Sequence, residues 1–363
     1  MRASKQRQIE TIQQTPTATT KGYLANWLII CTLPHSEPTS PIYTRRTNDC
    51  TLNMVSGVDE KGEFIGLPYG PIARLLLFWI ISEAIRTKSR VLHLGKEIND
   101  FLRAMGLDPN TGGGKRSDRA GLKRQMPKLF RCRMSFDRVA TTTNQTGHKW
   151  KDMSVAPEGE DWFTIKNPEQ GGLFESWIEL DEKFYEAITS SPVPIDFRAM
   201  VALKHSAMAI DLYALLAWRV HGMKDGSTVP IPLHGPKGLA AQIGSNYGRK
   251  IDFKRAVEAG LKDVEMVWPS LAYEVSDTHL TVSKSAVPIA DEPINKKRRA
   301  FGQVKANALL SDTEIEFRKA NPRVSLTSVK KAFFAFLKRE QIEPQDIDAL
   351  FRDYAAKWVK GEH

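Results

Sequence analysis

Residues 66–136 read GLPYGPIARLLLFWIISEAIRTKSRVLHLGKEINDFLRAMGLDPNTGGGKRSDRAGLKRQMPKLFRCRMSF, and the order of elements in them decides the fold. Gly70-Pro71 puts a proline in the first turn of a helix, where its missing N–H costs nothing. That helix, about 71–87, is apolar nearly all round and belongs in a core. Val91–Leu94 is a short strand. Gly95–Gly106 is an amphipathic helix with Ile98, Phe101, Leu102 and Met105 on one face. Asp108-Pro109-Asn110 and Gly112–Gly114 make a turn. Ser117 can then cap a further helix.

That further helix carries the charge. Between Lys115 and Arg138 nine Lys or Arg face Asp118 and Asp137 only, a local balance of +7 in a chain of net +10. Leu122, Met126, Leu129 and Phe130 share one side at 100° per residue, and the cations spread over the other. Pro127 should kink or shorten the helix. Residues 132–140 and 147–166 alternate as strands, with turn signals at Asn144-Gln145 and Pro157–Gly159. Helix, strand, helix, turn, basic helix and a β-ribbon together read as a winged helix-turn-helix, a module that lays one helix in a DNA groove. The competing reading of the basic stripe is a solvated helix face.

A second pass through the same order begins near residue 181. Phe197–His221 reads as one long apolar helix, Val229–Leu233 as a strand and Pro236–Gly244 as a helix. A turn at 245–248, a helix at Ile251–Trp268 and strands at Ala272–Val275 and Leu280–Ser283 follow. Met105-Gly106 corresponds to Ile243-Gly244, and Lys115-Arg116 to Arg249-Lys250. Identity between the copies is low, so the repeat is one of pattern. Asp252, Glu258, Asp263 and Glu265 dilute the charge of the second basic helix, and a dimer or domain contact competes there with DNA.

The expected fold class is therefore α+β: tandem winged-helix domains with a small helical C-terminal domain. The boundaries fall at 1–60 for a partly disordered N-terminal arm, 61–180 and 181–290 for the two modules, and 291–363 for a linker and helical domain. The arm holds a strand at Trp27–Leu33 and an Arg45-Arg46 stretch. Lys296–Arg299 lies in the linker. Helices are expected near Asp312–Ala320, at Leu326–Glu340 and at Pro344–Lys360, where Ile347, Leu350, Phe351, Tyr354 and Trp358 form a stripe.

The residues expected to touch DNA are Arg116, Arg119, Lys123, Arg124, Lys128 and Arg131 in the first module. In the second they are Arg249, Lys250, Lys254 and Arg255. Neither apolar run, Leu75–Ile81 or Ala207–Val220, offers about 20 uninterrupted apolar residues, so no membrane span is expected. Cys31, Cys50 and Cys132 are odd in number and outside any C-x-x-C pattern, which fits reduced thiols in a cytoplasmic protein. The N-terminal residues lack the apolar stretch of a signal peptide.

Enzyme chemistry finds little support. Gly112–Lys115 begins like a phosphate loop, but Pro109 stands five before Gly114 and Arg116 replaces the magnesium-holding Ser or Thr. The eight histidines include no His-x-His pair of the kind that serves a nicking tyrosine. Asp211 on an apolar helix reads as a buried, paired carboxylate. The expectation is no enzyme, no metal and no cofactor.

The chain resembles the plasmid replication initiators of the RepA type over roughly residues 30–290. The resemblance is carried by LPYGPIARLLLFWIISEAIRTKSRVLHLGKEINDFLRAMGL, LKRQMPKLF, LFESWIELDEKFYEAI, SSPVPIDFRAMVALKHSAMAIDLYALLAWR and QIGSNYGRKIDFKRAVEAGL. Ala73 stands where the family pattern has proline, and Pro127 where it has a basic or polar residue. The resemblance implies an initiator that binds iteron repeats in double-stranded plasmid origin DNA and opens adjacent A·T-rich DNA. It also implies recruitment of a host initiator and the replicative helicase, with a homodimer as a further form. The alternative is a transcriptional regulator or a partition-site DNA-binding protein with the same modules, because fold does not fix function.

Overall fold

In the computed structural model the chain divides into a unit of residues 1–290 and a unit of residues 291–363. Described are residue 12 and residues 21–285, apart from 48–49, 96, 111–113, 115–116, 142–145, 161–175, 191 and 245. In the second unit they are residues 317, 320, 321, 324, 326–340 and 347–360.

The first half of the large unit is built on helix α2 (Gly70–Thr87), whose buried residues run from Ala73 to Ile81 without interruption. A helix apolar on every side must be wrapped by other elements. Strand β4 (Val91–Gly95), α3 (Ile98–Ala104) and the basic helix α4 (Asp118–Phe130) follow in the expected order. Ser117 caps α4, its hydroxyl accepting from the Ala120 N–H at 3.2 Å. Pro127 does not end the helix. It sits one turn from the C-terminus, so the bond it forfeits is that to the Lys123 carbonyl on an exposed face.

The β-ribbon differs from its expected form. Strands β5 (Arg133–Thr141) and β6 (Thr146–Ser154) do pair with each other, but they do not join β4. They extend a four-stranded sheet begun by β2 (Ile42–Arg46) and β3 (Thr51–Val55), in the order β2-β3-β5-β6. The strands that complete the sheet of β4 are β7 (Glu158–Glu160) and β8 (Ser176–Glu179), in the order β4-β8-β7. A period-two pattern identifies a strand but not its partner.

Residues counted in sequence with the arm are thus woven into the unit. Strand β1 (Lys21–Ala25) pairs antiparallel with the distant β9 (Pro192–Asp196), in register from Lys21↔Asp196 to Ala25↔Pro192. The stretch expected as a strand at Trp27–Leu33 begins instead with a short helix, α1 (Asn26–Ile30), and Cys31–Leu33 continue as buried coil. The arm's first residues, apart from residue 12 and those of β1, lie outside the described set.

The second half repeats the order. After α5 (Glu182–Ser190) and β9, the helix expected at Phe197–His221 is two, α6 (Phe197–Ala202) and α7 (Ala207–His221). Ser206 starts the second by accepting from the Ala209 N–H at 3.1 Å, an N-cap that outcompetes continuation of the first. Strand β10 (Thr228–Pro232), the short α8 (Leu239–Gln242) and α9 (Lys250–Val267) follow, then β11 (Ala272–Val275) and β12 (His279–Ser283). Their sheet runs β10-β12-β11, the same order as β4-β8-β7. Val257, Leu261 and Val264 of α9 are fully buried. At Gly260 a β-carbon would stand 2.9 Å from the Leu212 side chain, so α9 packs closely on α7 there.

One apolar core runs through both halves, from Leu24 and Leu52 to Leu280 and Val282. In the second unit α10 (Leu326–Glu340) matches its expected span, and α11 runs over Ile347–Lys360, the first residues of its expected span, 344–346, lying outside the described set. Phe317, Val329, Phe333, Leu337, Phe351 and Ala355 form its core, with Tyr354 and Trp358 packed against it. Lys296–Arg299 and most of Asp312–Ala320 lie outside the described residues.

Candidate nucleic-acid interface

Helix α4 buries Leu122, Gln125, Met126 and Leu129 and turns Lys123, Arg124 and Arg131 to solvent. Gln125 is fixed by the backbone, its Oε1 accepting from the Tyr69 N–H at 2.9 Å. Its only carboxylate, Asp118, is taken by Lys204 Nζ at 2.7 Å, so it does not neutralise the exposed cations. Arg124 lies beside Glu37 and Tyr69 and draws on the ionisation of both.

Two of the expected contacts are not on that face. Lys128 is buried: its ammonium pairs with Glu37 and sits 5.1 Å from the centre of the Tyr69 ring. Tyr69 Oη donates to the other Glu37 oxygen at 3.1 Å, and Lys128 foremost holds that carboxyl below its usual range. Lys128 therefore fastens α4 to the segment before α2, a long-range contact that no helical wheel reveals. Arg119 is half-buried and donates to Asn99 Oδ1, pinning α4 to α3. Arg116 lies outside the described residues, as do Gly112 and Gly113 of the glycine turn.

Between α4 and the β7–β8 ribbon runs a cleft of about 620 Å³. Leu94, Met126, Phe130 and Trp177 are among its apolar walls, and Lys123, Arg131, Glu158 and Glu160 its charged ones.

At α9, Arg249, Lys254 and Arg255 each lie against a carboxylate. Arg249 spans both oxygens of Asp252 at 2.7 and 2.9 Å, and Arg255 approaches the same carboxylate at 3.9 Å. Lys254 donates to Asp277 at 2.6 Å, tying the helix to the β11–β12 turn, and lies 3.8 Å from Glu258. Lys250 is exposed at the start of the helix. Arg45 of β2, which sequence reasoning left unassigned, reaches α8 and the turn before α9, donating to the Ala240 carbonyl at 2.8 Å and to Asn246 Oδ1 at 3.4 Å. The signal was the Arg45-Arg46 pair, but only the fold shows where it goes.

A buried ion cluster joins the two halves. Arg74 of α2 meets Asp211 of α7 through two parallel bonds, Nε to Oδ1 at 2.7 Å and Nη2 to Oδ2 at 2.8 Å. Its remaining donors go to the carbonyls of Leu33, Pro34 and Gly70. His35 Nε2 lies 2.8 Å from Asp211 Oδ2. Burial alone would raise the Asp211 pKa, but Arg74 and then His35 outweigh it and hold the carboxyl at about 2. Burial pushes His35 below its ordinary value despite Asp211. The segment 32–35 also bonds the second half's turn, His35 N–H to the Gly244 carbonyl at 2.8 Å and Gly244 N–H to Thr32 Oγ1 at 2.7 Å. A β-carbon at Gly244 would stand 1.8 Å from the Leu33 carbonyl oxygen, so glycine is required there.

The geometry defines a mixed α+β protein with two helix–strand–helix–helix–ribbon units, in which the exposed face of α4 is cationic while α9 balances four Lys or Arg against four Asp or Glu. Residues 67–228 match the family model described as plasmid encoded RepA protein. Two crystal structures of RctB domains 2 and 3 are similar in outline. Their TM-scores are 0.45 and 0.43, with 10% and 11% identity. They cover 71% and 72% of this chain, and 95% and 97% of their own. No curated protein matches.

Proposed function

We propose that the protein is a sequence-specific DNA-binding initiator of plasmid replication, working in the cytoplasm. It binds iteron repeats at its own origin, promotes opening of adjacent A·T-rich DNA and recruits the host initiator and replicative helicase. The observation that carries this reading is the RepA-family match, which spans α4 and its exposed Lys123 and Arg124.

Both halves act as winged-helix modules in this reading. Their support is the shared sheet order, in which the strand after the first helix pairs with the last strand of the ribbon. Lys123, Arg124 and Arg131 contact mainly phosphates, which give affinity, and side chains of the same face read base edges, which give specificity. Two such modules in one unit can engage successive major-groove faces.

The protein itself consumes no nucleotide and cuts no strand. Energy for opening the duplex comes from binding, assembly on adjacent repeats and negative supercoiling. Bending a site costs on the order of 1–6 kcal/mol, which several phosphate contacts can supply. The test is transformation with a plasmid carrying the origin region, with and without this reading frame. Replication only in its presence is expected. Replication without it would overturn the reading.

A further inference from the structure

Residues 57–66, between β3 and α2, form a closely hydrogen-bonded loop that holds apolar side chains out in solvent. Its base is closed by the Ile65 N–H to the Gly57 carbonyl at 3.1 Å and by the Gly66 N–H to Ser56 Oγ at 2.9 Å. Its tip is wound on Asp59. The Asp59 N–H donates to the Glu63 carbonyl at 2.8 Å, and Oδ1 accepts from the Lys61 and Glu63 N–H groups at 2.8 and 2.9 Å. Gly62, at φ +83°, supplies the left-handed residue that the tip needs. Val58 and Phe64 pair across an isolated antiparallel bridge within this loop, yet they keep 41% and 59% of their surface in solvent. Three positions before Val58, Val55 stands opposite Ile42 in the β2–β3 register, and both are exposed as well.

Single exposed apolar residues are ordinary, but clustered ones mark contact surfaces. Of the nine large apolar side chains exposed among the described residues, these four fall between positions 42 and 64. A turn that only had to join β3 to α2 gains nothing from an aromatic ring held in water by ordered backbone. The ring gains its value against a partner, because a pre-ordered anchor loses little freedom on docking.

The charge of the loop selects the partner. Asp59, Glu60 and Glu63 face Lys61 alone, a local −2 in a chain of +10. That charge repels phosphates, so DNA is not the occupant. A second copy meeting the same patch would set Glu60 and Glu63 against their counterparts, and like charges repel. The chain's own apolar cleft beside α4 is walled in part by Glu158 and Glu160, and in the reading above its cations contact DNA. The loop therefore fits a different protein, one with an apolar recess rimmed by Lys or Arg. Its position fits as well. A β-carbon at Gly57 would stand 2.6 Å from the Arg131 carbonyl oxygen, so the base of the loop lies against the end of α4. A protein held there sits beside the DNA that α4 contacts.

We infer that Val58 and Phe64, with Glu60 and Glu63 around them, form a docking knob for a host replication protein that presents an apolar recess with a basic rim. The inference rests on the recruitment reading above and narrows it to one surface.

The experiment compares the full chain with its Val58→Ser, Phe64→Ser double variant. Both side chains are exposed, so denaturant unfolding and origin-duplex affinity should match the wild type. Capture of the purified host initiator or the purified replicative helicase on immobilised origin DNA should fall about tenfold or more, the scale of losing an aromatic anchor. Transformation by an origin plasmid encoding the variant should be lost with it. Glu60→Lys with Glu63→Lys should weaken the same capture while origin affinity is no lower. A photo-crosslinking phenylalanine analogue in place of Phe64 should mark the captured host protein. Crosslinking to DNA or to a second copy of the chain would overturn the proposal. So would wild-type replication by the serine variant, or a fall in its origin affinity. If the wild type captured a host protein and the variant captured it equally, the recruitment reading would stand and this surface would not. If the wild type captured neither host protein, both would fall.

Discussion

Helices α4 and α9 occupy equivalent places in the two halves, but they handle charge differently. On α4 the single carboxylate is turned away to Lys204, leaving Lys123, Arg124 and Arg131 exposed. On α9, Asp252 and Glu258 lie within reach of Arg249, Arg255 and Lys254, and Asp277 of the neighbouring turn holds Lys254. Exposed ion pairs are worth roughly 0–1 kcal/mol, so a phosphate can replace them at small cost. The same topology thus yields one helix ready for a polyanion and one that must exchange partners first. Repeated architecture does not imply repeated affinity.

The largest expected effect comes from breaking the link between the halves. Arg74→Met leaves Asp211 and three carbonyls without their main donor and should cost about 3–5 kcal/mol in denaturant unfolding. Asp211→Leu together with Arg74→Met should recover much of that loss, since replacing a buried pair by apolar groups is often close to neutral.

Next comes the contrast between the helices. Lys123→Ala, Arg124→Ala and Arg131→Ala combined should flatten the DNA salt slope by about 2.7, if each removes one phosphate contact. The matching change of Lys254 and Arg255 should flatten it less, because both already share carboxylates. Equal effects would erase the distinction drawn between α4 and α9.

Lys128→Ala separates charge from position. It should lower stability by about 1 kcal/mol through loss of the Glu37 pair and the Tyr69 contact, with the salt slope unchanged. A flattened slope would return Lys128 to the DNA face.

The smallest effect concerns pH. His35 resists protonation when folded, while the unfolded chain takes up its proton near the ordinary 6.5. Stability should therefore be full above that pH and decline as pH falls below it. His35→Asn should make stability flatter between pH 7 and 5. Asp211 acts lower down: its contribution is present above its ordinary 3.8 and is lost as pH falls towards about 2.

Much of this was legible in the sequence because it is local. Helix α2, helix α10 and strand β11 lie within a residue of their expected spans, since proline at a first turn and strong periodicity mark them well. The stretch from Trp27 misled because a short apolar run has no period to separate helix from strand. The break at Leu203–Ser206 carries no Gly or Pro, and its cue was the capping serine. What sequence could not give is partnership. Alternation announced β5 and β6, but not that β2 and β3 would claim them. The wheel placed Lys128 with Arg124, but Glu37 and Tyr69 decide its fate from across the fold. For the same reason Arg45 went unassigned.

In the proposed function, origin DNA is bound and opened by contacts alone, with α4 leading. Footprinting on supercoiled origin plasmid without ATP, combined with a single-strand-specific probe, tests it most directly. The wild-type protein should protect an array of direct repeats and expose an adjacent A·T-rich tract, and Lys123→Ala with Arg124→Ala should lose both. No protection by the wild type, or full protection by that variant, would contradict the account.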